Sequence, residues 1–394
     1  MSQKLVDRSP DLKQLRDEGY DIQVIGTHLV LRNVPYVNEA REVKTGYLVS
    51  TLEFEQNNVR KPGEHWVWFG RGNPCDKNGT RLAIIASSQF TTLTPGVEVD
   101  HMLSTKPSDG QGYPNFHAKM TTYVKILLHE AQAIDSKVVA KTFPVLLPDP
   151  DDDSPFKYLD SSSSRAGIDV ISYKLATPKI AIVGLGGTGA YVLDLVAKTR
   201  VKQIHLFDDD RFSQHNAFRC PGALSIEELK PGMKKVEYYQ SLYSKMRHGV
   251  IAHAYRIDEK NMDELREMQF VFLCIDSGEL KDPIMRTLET AGISFIDVGM
   301  GVHERDGALT GILRATTSTP QKRNHVRDNA RISFAPAREP NDYSRNIQVA
   351  DLNAFNAILA VLKWKKLCGF YHDLTGEHHA TFVIETSKLS REDQ

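Results

Sequence analysis

Residues 179–196 read KIAIVGLGGTGAYVLDLV. The run from Ile180 to Val183 is apolar and mostly β-branched, and it ends at a glycine cluster. After the cluster, apolar residues recur at helical spacing, so the stretch reads as strand, tight loop and helix. Gly184, Gly186 and Gly189 carry the spacing G-x-G-x-x-G. Gly184 permits a sharp turn after the strand, and Gly189 lets the helix pack closely against it. Gly186 and Gly187 let backbone N–H groups approach a phosphate at the positive end of the helix. Such a loop serves NAD or ATP equally, although the extra Gly187 is not needed for hydride transfer.

Working outward, short β-rich runs alternate with helical ones. QIHLFD precedes MKKVEYYQSLYSKM, and FVFLCID precedes KDPIMRTLETAG and SFIDVG. That alternation predicts an α/β domain: a Rossmann-like, mostly parallel sheet with helices on both faces. Residues 146–167 concentrate proline, aspartate and serine and read as a linker or exposed crossing segment. Before them, YDIQVIGTHLVLRNVPYV, HWVWFG and RLAIIASSQF read as strands, and 115–135 as a helix with one apolar stripe. The expected organisation is a smaller α+β accessory domain over 1–145, a linker over 146–165 and the nucleotide-binding domain over 166–394.

The chain has 394 residues with 41% hydrophobic and 25% charged content and a formal net charge of −1. Nothing in that balance draws nucleic acid to the molecule as a whole. No apolar run is long enough to span a bilayer, and residues 1–15 lack the apolar core of a signal peptide. A cytoplasmic location with no membrane partner is therefore expected.

The second strand of the nucleotide domain ends in LFDDD and continues as DDDRFSQHNAFR. Asp208 stands where an acid binds ribose hydroxyls in either nucleotide class. Asp208, Asp210, Asn216 and Arg219 together fit D-x-D-x5-N-x2-R, a pattern that resembles the ThiF, MoeB and ubiquitin-activating enzyme superfamily. Lys235 in PGMKKV fits that family's G-x-x-K, and Asp276 in FLCIDSG fits its C-x-D, with Ser277 where asparagine is common. A hydride-transfer enzyme has no use for an asparagine and two cations downstream of the ribose acid. An adenylating enzyme does, since pyrophosphate leaves with its charge.

The resemblance implies ATP-dependent adenylation of the C-terminal glycine carboxylate of a ubiquitin-like protein. It implies Arg219 and Lys235 on the phosphates, Asn216 beside them, Asp208 on the ribose and Mg²⁺ on Asp276. Family members often add an N-terminal arginine across a homodimer interface. Arg165 in SSSSRAGIDVISYKL is the candidate, with the serines as expected helix caps. The appended N-terminal domain suits a bacterial ubiquitin-like conjugation pathway, as a grip on the modifier or on a conjugating-enzyme partner. Activation of a sulfur-carrier protein and a non-catalytic nucleotide-binding adaptor are the alternatives.

The four cysteines, Cys75, Cys220, Cys274 and Cys368, form no CxxC pair, so a zinc site is not expected. Many relatives pass the adenylate to a cysteine downstream of the metal aspartate, but residues 303–346 contain none. Cys274 is expected inside a core strand, and Cys75 is the exposed candidate in the N-terminal domain. Direct transfer, or transfer to a hydroxyl such as those of Thr316, Thr317, Ser318 and Thr319, stays open; that run is expected to be a flexible loop. The terminal helical stretch NIQVADLNAFNAILAVLKWKKL is expected to bury Val349, Leu352, Phe355, Ile358, Leu359 and Leu362 against the sheet. His378 and His379 lack a third ligand in sequence and are not expected to bind metal.

Overall fold

The computed structural model of the protein describes residues 2–55, 58–107, 110–149, 152–334 and 347–391. Residues 150–151, inside the expected linker, and 335–346, at the end of the stretch without cysteine, lie outside the described residues. The chain forms two compact units, Met1–Asp152 and Asp153–Gln394.

In the first unit six strands form an antiparallel sheet: β1 Asp21–Ile25, β2 His28–Val37, β3 Val43–Thr51, β6 Trp66–Gly70, β7 Ile85–Thr94 and β8 Val97–Ser104. A two-stranded ribbon, β4 Phe54–Glu55 and β5 Asn58–Val59, lies outside it. The order in the sheet is β1-β2-β3-β6-β8-β7, so β7 is an edge. Alternation along β2 sorts Leu29 and Leu31 into one apolar cluster and Val30 into another. The helix Phe116–Ile134 joins the first cluster through Phe116, Met120, Tyr123, Val124 and Leu127. Asn115 caps it by accepting the Ala118 N–H at 2.8 Å. This is the expected α+β fold.

The second unit holds an eight-stranded sheet in the order β11-β10-β9-β12-β13-β14-β15-β16. Its strands are β9 Lys179–Val183, β10 Gln203–Phe207, β11 Val250–His253, β12 Phe270–Leu273, β13 Ser294–Arg305, β14 Ala308–Ser318, β15 His379–Val383 and β16 Lys388–Arg391. The first five in that order pair in parallel and the rest antiparallel. Parallel strands buried on both faces need apolar residues at successive positions, which KIAIV and FVFL supply. Ile180, Ile182, Phe270 and Phe272 pack on one face, with the helices Gly187–Ala197 and Ala350–Leu367. Ala181, Val183, Val271 and Leu273 pack on the other, with the helix Gly278–Thr290.

The chain enters at β9, moves to β10 on one side and later to β12 on the other. That reversal opens a crevice beyond the carboxyl ends of β9, β10 and β12, where ligands bind in doubly wound sheets.

Three expectations change. Thr316, Thr317 and Ser318 are not in a flexible loop; they end β14, almost fully buried, because β13 and β14 form a long hairpin. Cys75 is not exposed. Its backbone bridges Val37 and Arg81, and only 1% of it is accessible. In the helix Ala350–Leu367, Ile358 and Leu362 face outward, while Asn353, Asn356, Ala357, Ala360, Val361 and Trp364 form the buried stripe. The stripe is set by small residues that admit a neighbouring helix, and by two asparagines with polar partners.

Candidate active site

The glycine loop and the loop after β10 are built as one piece. Gly184 has φ +90°, and a Cβ there would lie 2.7 Å from the Cys274 carbonyl oxygen, so glycine is required. A Cβ on Gly189 would lie 2.0 Å from the Gly184 carbonyl oxygen, which explains the close start of the helix. Asp208 accepts the Leu185 N–H at 2.6 Å through one oxygen and the Asp210 N–H at 2.9 Å through the other. One carboxylate thus ties the glycine loop to the end of β10. Burial pushes the Asp208 carboxyl up, and Lys235 and the two N–H groups offset this only in part. Each oxygen keeps a lone pair for a further donor.

Lys235 opens the helix Lys235–Tyr243, an unfavourable place for a cation beside a positive helix end. Carboxylates compensate. Its Nζ lies 2.6 Å from Asp210 Oδ2 and 3.6 Å from Asp208 Oδ1. Desolvation works to raise the Asp210 carboxyl, but the bond and charge of Lys235 outweigh it and hold Asp210 below its ordinary value. An anion entering the site would compete with Asp210 for this ammonium.

Gly184, Gly186, Asp208, Asp209, Asp210, Arg219, Lys235, Cys274, Asp276 and Ser277 line one cleft. It holds about 740 Å³ including its open mouth. Phe207, Ile257, Ile275 and Leu280 give it apolar walls suited to a flat heterocycle. Arg219 follows a single helical turn, and its Nε is buried with no hydrogen-bond partner among the described residues. Arg219 as a residue lines the cleft, and a guanidinium there suits an anionic ligand.

Asn216 does not line the cleft. It is buried, and its Oδ1 accepts the Ser213 N–H at 2.8 Å, which shapes the turn that delivers Arg219. Gly187 lines a smaller chamber of about 350 Å³ with Thr188, Val298, Gly299, Met300 and Asn356. Gly186, Cys274, Asp276 and Gln348 border both chambers. Arg165 is exposed in the last turn of the helix Ser161–Ala166 and is not among the residues that line the cleft. The cap of that helix is Asp160, whose Oδ1 accepts the Ser163 N–H at 3.0 Å; the serines lie inside the helix.

Asp276 sits exposed between β12 and the helix Gly278–Thr290. A carboxylate on the wall of a phosphate-sized cleft fits Mg²⁺, which commonly takes one or two carboxylates and completes its shell with phosphates and water. Asp208, Asp209 and Asp210 also gather their oxygens within 4.8 Å. Lys235 already lies against Asp208 and Asp210, and its charge opposes a cation there.

Several residues of the site carried no sequence motif. Arg256 adds a third cation to the cleft and faces Asp209 at 3.7 Å. Asn353 accepts the Thr188 hydroxyl at 2.9 Å and donates to the Arg219 carbonyl at 3.4 Å, so it joins the glycine helix to the arginine turn. Asn356 donates to the Gly299 carbonyl at 3.1 Å, and its buried Oδ1 has no partner among the described residues. Beneath the cleft, fully buried Asp297 binds Lys281 at 2.8 Å and Arg314 at 2.5 Å, pinning the helix after Asp276 to β13.

No cysteine is tuned as a nucleophile. Cys274 lies just past β12 rather than within it, and desolvation, then the Asp297 charge, push its thiol up. Burial likewise raises Cys75 and Cys220, and brings Cys368 up to about 11. A thiol held above the usual range is a poor nucleophile at neutral pH.

Residues 10–161 match the model of a domain of unknown function, DUF6791. Ubiquitin-like modifier-activating enzyme 5 of Rattus norvegicus is 23% identical over 173 residues, 40% of this chain and 42% of that protein. The chain therefore spans less than half the length of that curated relative. Among solved structures, E. coli MccB with MccA-N7isoASN is 18% identical and covers 59% of this chain and 69% of its own, with a TM-score of 0.47. PaaA is 16% identical over 57% of this chain and 75% of its own, with a TM-score of 0.45. Residues 165–383 match the model of the ThiF family; that is more than half of the chain, and the protein belongs to the ThiF family.

Proposed function

We propose that the protein adenylates the C-terminal carboxylate of a ubiquitin-like protein, using ATP. The observation that carries this reading is the pairing of Arg219, with its orphaned buried Nε, and Lys235 in one cleft beside the glycine loop. Two cations beyond the ribose acid suit a triphosphate that must release pyrophosphate. A dinucleotide would leave them unused. The name of the rat relative, a ubiquitin-like modifier-activating enzyme, supports a protein substrate.

In this reaction the carboxylate attacks the α-phosphate of ATP, and pyrophosphate departs. The protein supplies position and charge stabilisation. Arg219 and Lys235 meet the charge on the departing oxygens. Lys235 is released to do so as Asp210 yields to the phosphates. Asp208 holds the ribose while keeping the two loops in register. Mg²⁺ held by Asp276 would neutralise phosphate charge. The smaller chamber bordered by Asp276 suits the narrow terminal residues of an incoming chain. A homodimer that presents Arg165, a grip on the modifier or a conjugating enzyme by the N-terminal unit, and a cytoplasmic setting complete the proposal. Among the described residues no helix is long and apolar enough to cross a membrane.

The test is ATP–pyrophosphate exchange by the full chain with ubiquitin-fold proteins ending in glycine. Exchange that requires one such protein and is lost in Arg219→Met supports the reading. Binding of NAD with no binding of Mg-ATP overturns it.

A further inference from the structure

The first unit contains a hydrogen-bonded relay that the nucleotide cleft does not explain. Ser88 is exposed on the edge strand β7, directly opposite His101 on β8. Its Oγ lies 2.8 Å from His101 Nδ1, and His101 Nε2 lies 2.6 Å from Asn73 Oδ1. Only 6% of His101 is accessible, so the ring is shielded while the hydroxyl is not.

The neighbours favour one arrangement of protons in this relay, in which His101 also meets the Gly72 backbone. The Asn73 amide donates through Nδ2 to a Glu39 carboxylate oxygen at 3.2 Å. A carboxylate only accepts, so the amide oxygen must face His101. The His101 Nε2 must then carry the ring proton and donate it to Asn73. That leaves Nδ1 as an acceptor, and the Ser88 hydroxyl must donate to it. Arg81 Nη2 also donates to Ser88 Oγ, at 2.5 Å, where it favours negative charge on that oxygen. A nucleophile, a base in the required tautomer and a third group that orients the base are thus assembled within hydrogen-bonding reach.

We propose that Ser88 is a nucleophile for activated acyl groups, with His101 as its general base and Asn73 and Glu39 as positioning residues. Ser88 Oγ attacks the acyl carbon, and its proton passes to His101 Nδ1. The Oγ–C bond forms and the bond to the leaving oxygen breaks, that oxygen keeping the electron pair. From an acyl adenylate the leaving group is AMP, and His101 returns its proton to solvent. The product is an oxyester on Ser88. Taking the acyl group from an adenylate rests on the adenylation reading above; the reactivity of Ser88 does not.

The probe is p-nitrophenyl acetate, added to the full-length protein without ATP, with the acetyl group located by peptide mass spectrometry. Wild-type protein is expected to carry acetyl on Ser88, and Ser88→Ala to lose that adduct. His101→Gln is expected to slow acylation about a hundredfold, within the usual range for general base catalysis. The charged groups acting on His101 are Asp100 and Arg81; burial is the larger influence and lowers its pKa. The rate should therefore rise with pH through a midpoint below the ordinary histidine value of 6.5. The exposed substitution Asn73→Leu frees the tautomer, and should slow acylation about tenfold and move that midpoint without unfolding the unit. Unmodified wild-type Ser88, or equal rates in wild type and both His101→Gln and Asn73→Leu, overturns the proposal. Wild-type ATP–pyrophosphate exchange run in parallel separates the two readings: each assay can fail while the other succeeds.

Discussion

Replacing Lys235 with methionine probes both the architecture of the cleft and its chemistry. The Lys235 side chain is 6% accessible, Asp208 is 8% and Asp210 is 63%. Removing one partner from a fully buried ion pair costs about 3–5 kcal/mol. Here the nearer partner is exposed, and an exposed pair contributes only about 0–1 kcal/mol. The buried partner, Asp208, keeps its two backbone N–H donors and is able to take up a proton. The net loss should therefore be about 2 kcal/mol at pH 7, or roughly 4–8 °C in Tm for a unit of this size.

The loss should depend on pH in a defined direction. Burial already holds the Asp208 carboxyl above its ordinary value, so charging it weakens the fold as pH rises. Without Lys235 that carboxyl moves higher still. Asp210, which Lys235 holds below its ordinary value, moves up as well. Both changes penalise the variant only where the carboxyls are ionised in the unfolded chain. The deficit should be small near pH 3 and should open as pH rises through the ordinary carboxylate range. Denaturant melts of wild type and Lys235→Met at pH 3, 5 and 7 measure it. Exchange activity of the folded variant at pH 7 should fall about 10²–10³-fold, the usual cost of losing one electrostatic donor to a developing charge. A pH-independent deficit would mean that Lys235 acts by packing alone. Retained exchange would falsify its role as a phosphate cation.

Further outcomes follow from single contacts. Arg219→Met should weaken Mg-ATP binding and exchange about a hundredfold, with Tm unchanged within about 1 °C, because its buried Nε has no internal partner to lose; calorimetric titration and thermal melts check it. Asp276→Asn should raise the Mg²⁺ concentration needed for half-maximal exchange about tenfold and leave the fold intact, since the residue is exposed. Gly189→Ala should fail to fold or lose about 3 kcal/mol or more, its Cβ falling 2.0 Å from the Gly184 carbonyl oxygen. Gly186→Ala, with nothing within 4 Å of the added carbon, should melt like wild type yet bind nucleotide more weakly.

The contrast between those two glycines shows why the sequence was legible where it was. Gly184, Gly186, Asp208, Asp210, Arg219 and Asp276 come from the segments that follow three parallel strands, and Lys235 opens a helix in the second of those connections. Each of these segments starts at the carboxyl end of a buried strand, so motifs read just after the strands fall at one edge of the sheet. The parallel strands were legible for a related reason: burial on both faces leaves an uninterrupted apolar run, as in KIAIV and FVFL. Asn216 was assigned from its position in a motif, but a side chain in a tight turn is able to cap its own backbone, and here it does. The missed residues come from far along the chain. Asn353 reaches the glycine helix and the arginine turn across separations of 165 and 134 residues. Periodicity located its helix and placed Leu359 and Phe355 in or against the core, but apolar bulk misplaced Ile358 and Leu362. Ile358 and Leu362 are larger than Ala357 and Ala360, yet a closely packed helix pair buries the small residues. Asparagines three apart and in phase with alanines were the available signal, because a polar group keeps a buried position only where partners await it. The Ser88 relay is hidden for the same reason in a sharper form. Its serine, histidine and asparagine follow no local spacing, and only the antiparallel register of β7 and β8 sets Ser88 opposite His101.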